Sequence, residues 1–108
     1  LGGVQRIFER ERGIPMTNEI VLLIDKFLND NAEGLNFSQA DIEKWALFNM
    51  DHYYSSKFYF FFNHLKLLMH ESSNHIFSFN WGLIKNYCKS DQKRYEELVA
   101  RHRKANKL

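Results

Sequence analysis

The stretch Ser55-Ser56-Lys57-Phe58-Tyr59-Phe60-Phe61-Phe62-Asn63-His64-Leu65-Lys66-Leu67-Leu68-Met69 decides the fold. Tyr59 to Phe62 alone would suit a β-strand, because aromatic side chains pack well on a pleated surface. Length decides otherwise. Phe58, Phe61, Phe62, Leu65, Leu68 and Met69 recur every three or four positions, a run longer than an average strand. A helix through Met69 is expected. Successive helical residues diverge by about 100°, so five consecutive aromatics cannot share one face. Tyr59 and Phe60 lie off the stripe. Either a second helix packs against them, the favoured reading, or they form an exposed patch that marks a partner surface.

The same periodicity extends in both directions. Val4 to Arg12 reads as a short charged helix stopped by Gly13 and Pro15. Thr17 can cap the next helix, with Met16 stapled onto Val21, and Ile20, Leu23, Ile24 and Phe27 form its face. Ser38 stands three residues before Asp41, between Phe37 and Ile42, in a pattern that starts a helix containing Trp45. Glu71 to His75 reads as a polar loop. Asn80 caps a helix carrying Trp81, Ile84, Tyr87 and Cys88, with Phe79 stapled onto Ile84. Ser90-Asp91 opens a last helix whose Tyr95, Leu98 and Val99 point inward. The expected architecture is all-α, a compact bundle of five or six helices forming one domain over residues 4–108. Removing a core aromatic, by Phe62→Ala or Trp81→Ala, is expected to cost about 3–5 kcal/mol.

Composition agrees. The chain has 108 residues, 44% of them hydrophobic and ten of them Phe, enough for a single core. Five glycines and the lone Pro15 are too few turn residues for a β-sandwich. The single cysteine, Cys88, excludes an internal disulfide and sits at an apolar helical position as a buried, inert thiol. No apolar run reaches membrane-span length, and an intracellular location is expected. The first residue is not Met and a helical pattern runs to the end, so both ends read as those of a piece cut from a longer chain.

Catalytic patterns are missing. No Gly-x-Ser-x-Gly elbow or phosphate-cradling glycine loop occurs, and the serines fall mainly at caps and loops. His64, His70, His75 and Cys88 match no zinc spacing. The chain is expected to be a binding protein with no enzymatic activity, cofactor or metal. Its charge is uneven: from Lys85 onward there are eight Lys/Arg against three Asp/Glu, although the whole chain is only +2. Lys85, Lys89, Arg94, Arg101, Arg103 and Lys104 are the candidate residues for an acidic partner. The same basic helix could instead neutralise nucleic-acid phosphates. A third reading is a structural piece of a larger protein.

The C-terminal half, residues 58–108, resembles the FF domain, a small α-helical interaction module. Phe62-Asn63-His64-Leu65 resembles the Phe-x-x-Leu of its first helix, Trp81 the Trp that opens its second, and Asp91 with Arg94-Tyr95 the turn ten residues later. Asp91-Gln92-Lys93-Arg94 is one residue longer than the family turn and lacks its proline, and the closing Phe has no counterpart. The resemblance implies acidic or phosphorylated peptide partners and a nuclear role in transcription or RNA processing. Ser56-Lys57-Phe58 and Tyr95-Glu96-Glu97-Leu98 are more distantly similar to the HMG box.

Overall fold

A computed structural model describes residues 18–108. The expected helix over 4–12 and the Thr17 cap lie outside the described residues. Five helices and one hairpin follow in order: α1 (Asn18–Asn31), α2 (Gln39–Asn49), α3 (Ser55–Lys66), β1 (Met69–Glu71), β2 (Phe77–Phe79), α4 (Trp81–Tyr87) and α5 (Gln92–Asn106). Helix accounts for 65% of the described residues, so the all-α expectation holds coarsely and is corrected by a two-stranded sheet.

Local chemistry sets most boundaries. In α1, Ile20, Leu23, Ile24, Phe27 and Leu28 are buried, one face of a 3.6-residue period. Ser38 and Asp41 form a complete capping box: the Ser38 hydroxyl accepts from the Asp41 amide at 3.0 Å, and the Asp41 carboxylate accepts from the Ser38 amide at 2.8 Å. Asn80 and Asp91 cap α4 and α5 through their side-chain oxygens, accepting from Leu83 and Arg94 amides.

The expected helix through Met69 ends early, at Lys66. Leu68 and Met69 are buried as the stripe requires, yet Met69 already belongs to β1. The reason lies ten residues on. Phe77-Ser78-Phe79 alternates at the strand period, burying both phenyl rings, and β2 pairs antiparallel with β1 as Met69↔Phe79, His70↔Ser78 and Glu71↔Phe77. The polar loop becomes the hairpin turn, where Ser72 bonds Ile76 across the neck at 2.9 Å and His75 adopts φ 58°.

One further pairing ties the first half to the hairpin. Phe37, between α1 and α2, exchanges two backbone hydrogen bonds with Phe77, at 2.8 and 2.7 Å. Gly34 makes this approach possible: a Cβ there would stand 2.6 Å from the Phe37 ring. The core is correspondingly aromatic. Phe27 meets Phe37, Trp45, Phe61 and Phe79 edge-on, Trp45 stacks on Phe61 at 5.7 Å, and Phe58 stacks on Phe62 at 5.4 Å. Phe60 packs partly buried against this core, whereas Tyr59 is 47% exposed. The two off-stripe aromatics thus divide between the two readings.

Candidate functional site

The basic C-terminal region folds as α4, a short turn and α5, and the six candidate cations separate into two groups. Arg94 and Arg101 face inward to α1. Arg94 pairs with the Asp25 carboxylate at 3.3 Å, which also accepts the Tyr87 hydroxyl at 2.8 Å. Burial and this carboxylate both push the Tyr87 phenol well above its ordinary range. Arg101 grips Glu33 at 3.0 Å and the Asn29 side chain at 3.0 Å, and this guanidinium holds the Glu33 carboxyl below its usual value. His102 adds a buried contact, its Nδ1 lying 2.8 Å from the Ala32 carbonyl. A carbonyl only accepts, so Nδ1 carries the proton and donates. Together these bonds clamp α5 along α1.

Lys85, Lys89, Arg103 and Lys104 remain exposed. Arg103 lines a groove of about 480 Å³ with Trp81, Tyr95, Val99, His102 and Leu108. Trp81 and Tyr95 meet edge to face at 6.4 Å, and Trp81 lies 5.0 Å from the His102 ring. Both aromatic residues are half-buried, packed against the core on one side. The groove residues include no acidic side chain. Its chemistry is therefore an apolar, aromatic floor with a guanidinium at one side, and Lys104 follows Arg103 on the last turn of α5. Sequence periodicity identified Trp81 and Tyr95 as core, and it contained no sign that they would border a surface depression.

Nucleophilic and metal chemistry finds little here. Cys88 is buried, and that burial raises its thiol pKa, the opposite of what a nucleophilic cysteine needs. Among the described residues, no three His, Cys, Asp or Glu side chains cluster as metal ligands. No helix among them is long and apolar enough to cross a membrane. No model of a known protein family, no curated protein and no solved structure matches the chain.

Proposed function

We propose that this domain is a non-catalytic protein-interaction module that captures an acidic peptide segment in the groove between α4 and α5. The observation that carries this reading is the pairing of an aromatic floor, Trp81 and Tyr95, with the exposed Arg103 guanidinium at its side and no acidic side chain in the lining. An apolar side chain entering the groove would displace water from Trp81, Tyr95, Val99 and Leu108, and a flanking Asp or Glu would meet Arg103. The FF resemblance points to the same class of partner, acidic or phosphorylated segments of nuclear transcription and RNA-processing proteins. Binding of nucleic acid along α5 is the weaker alternative, because Arg94 and Arg101 already face carboxylates, Asp25 on α1 and Glu33 just beyond its end. The structural-piece reading draws on Leu22 and Phe48, apolar side chains left exposed on α1 and α2.

The test is a titration with an Asp/Glu-rich peptide carrying one central Phe, followed through the Trp81 indole resonance, beside the same peptide with Ala at the centre. The Phe peptide is expected to bind more tightly and to shift Trp81. Arg103→Glu should lower its affinity about tenfold, equivalent to about 1.4 kcal/mol. Equal binding of both peptides, or affinity indifferent to Arg103→Glu, ends this reading.

A further inference from the structure

We infer that the α4–α5 groove selects a tyrosine of its acidic partner segment, with the phenol hydroxyl donating to Nε2 of His102. The inference names what enters the groove, and it rests on the groove being a peptide site. His102 carries it. The ring is only 7% exposed, yet His102 lines the groove beside Trp81, Tyr95 and Arg103. It is therefore the polar side chain at the depth of the depression, whereas Arg103 stands exposed at its side.

The tautomer of His102 is set from the inner side. Nδ1 donates to the Ala32 carbonyl, so the proton of the neutral imidazole sits there. Asn106 does not compete for that position. Its amide nitrogen lies 3.5 Å from Nδ1, but it donates at 2.9 Å to the Glu33 carbonyl and at 2.9 Å to the His102 carbonyl. The other ring nitrogen, Nε2, is then left with a lone pair and no proton. Among the described residues no donor reaches it. Yet every fully buried side-chain nitrogen and oxygen among them has a hydrogen-bond partner. Nε2 is therefore not sealed in the core, and the open space beside the ring is the groove. Ring contacts with Trp81 at 5.0 Å and Phe79 at 6.5 Å hold the imidazole plane, so the acceptor is fixed before a partner arrives.

A fixed acceptor at depth, bordered by an aromatic floor, asks two things of one side chain: a ring to pack on Trp81 and Tyr95, and a donor at its leading end. Phe supplies the ring alone and would strip water from Nε2 without replacing its hydrogen bond, which costs free energy. Ser and Thr supply the donor alone. The indole N–H of Trp lies at the flank of its ring system and not at the tip. Lys and Arg bring donors, but Arg103 repels them and no acidic side chain in the lining offsets that. Tyr carries its O–H at the far end of an apolar ring. Its hydroxyl meets Nε2 while Arg103 stays free for the acidic residues that flank it.

The test titrates the whole chain with one Asp/Glu-rich peptide carrying Tyr, Phe, O-methyltyrosine or Ala at its centre, and follows the ring nitrogens of His102 by NMR. The free protein should show Nδ1 protonated and Nε2 bare. The Tyr peptide should bind about tenfold more tightly than the Phe peptide and move the Nε2 resonance upfield. The Phe and O-methyltyrosine peptides, which have no donor, should leave that resonance in place. His102→Asn keeps an amide where Nδ1 stood, able to donate to the Ala32 carbonyl, and has nothing at the Nε2 position. It should bind the Tyr and Phe peptides equally. His102→Gln, whose amide oxygen reaches the Nε2 position, should restore part of the preference. General loosening of α5 would weaken both peptides alike, so the ratio of the two affinities separates recognition from support. The ring resonances are read on the unaltered chain, which keeps the test decisive even where a variant folds poorly. A proton on Nε2 in the free protein, equal affinity for Tyr and Phe, or a preference that survives His102→Asn would each overturn the inference. If Phe still outbinds Ala in those cases, the groove remains a peptide site without this selectivity. Binding of none of the peptides removes the groove reading and this inference with it.

Discussion

The two ends of this molecule treat charge in opposite ways. The α5 end is dense in cations, yet Arg94 and Arg101 are directed inward, where Asp25 and Glu33 hold them. The α3 end is nearly neutral, yet its outward stripe of Ser56, Asn63 and Lys66 stays exposed or half-exposed. Charge density along a sequence therefore measures two things at once: ions that fasten helices together and ions offered to a partner. Only the fold separates them. The face richer in Lys and Arg has fewer to offer than its composition suggests, and on the poorer face Ser56 and Asn63 stay exposed while Lys57 is paired with Glu19.

The largest expected effect tests the base on which each face stands. Phe62 is buried beneath α3 and stacked on Phe58, so Phe62→Ala should destabilise the domain by about 3–5 kcal/mol in urea melts. Trp81 is only half-buried at the edge of the groove, so Trp81→Ala should cost less, about 1.5–3 kcal/mol. This lowers the value expected from sequence for Trp81. Equal losses at the two positions would mean that Trp81 belongs to the core and the groove has no aromatic floor.

Next in size is the clamp. Arg94→Ala leaves Asp25 with Tyr87 as its hydrogen-bond donor, and both groups are partly shielded from water. A loss of about 1–2 kcal/mol is expected, below the range for fully buried pairs because both ends retain solvent. Hydrogen exchange should show α5 loosened and α3 unchanged. If α3 loosens equally, the two faces are not the separate units described here. A smaller loss, about 1 kcal/mol, is expected for Ser38→Ala, which removes the cap of α2. That variant should weaken the α3 side and spare the groove.

Much of this fold was legible in the sequence, and the parts that were not share a cause. Helices with a staple and a cap, such as those begun by Ser38 and Asn80, were readable because the signal is local: a polar side chain meets an amide three residues on. The hairpin was not. Phe77-Ser78-Phe79 is three residues long, too short for a period to declare itself, and its partners at Met69 and Phe37 lie far along the chain. Phe37 stands where a staple is expected, and its backbone also joins the sheet. The six basic residues were legible as charges, but which of them would meet Asp25 and Glu33 depended on a packing some seventy residues away in sequence. The stripe on α3 was present in the letters throughout. Its apolar side dominates the pattern, because burial makes the stronger periodic signal.

The smallest expected effect follows from the Arg101–Glu33 contact, and its sign can be stated. The Arg101 guanidinium lowers the Glu33 pKa from the ordinary 4.5 in the folded state. A group whose folded pKa is depressed adds stability above its unfolded value and loses it as pH falls through the folded value. The Arg101–Glu33 contact should therefore weaken on acidification below the usual carboxylate range, and neutral to mildly alkaline solution should leave it intact. Tyr53, bonded to Glu43 near the α2–α3 turn and pushed up to about 12, behaves in the opposite sense. Its contribution is complete below the ordinary phenol value and fades as pH rises from there through the folded value. Acid should thus loosen the Arg101–Glu33 contact, whereas alkali acts on both sides, through Tyr53 near α3 and through Tyr87 on the Asp25 carboxylate. An NMR pH titration reporting on Glu33 and Tyr53 side chains, with Arg101→Ala and Glu43→Gln returning each to its ordinary value, measures both. If Arg101→Ala leaves the Glu33 titration unmoved, the guanidinium faces solvent, and the contrast between inward and outward cations on α5 loses one of its two supports.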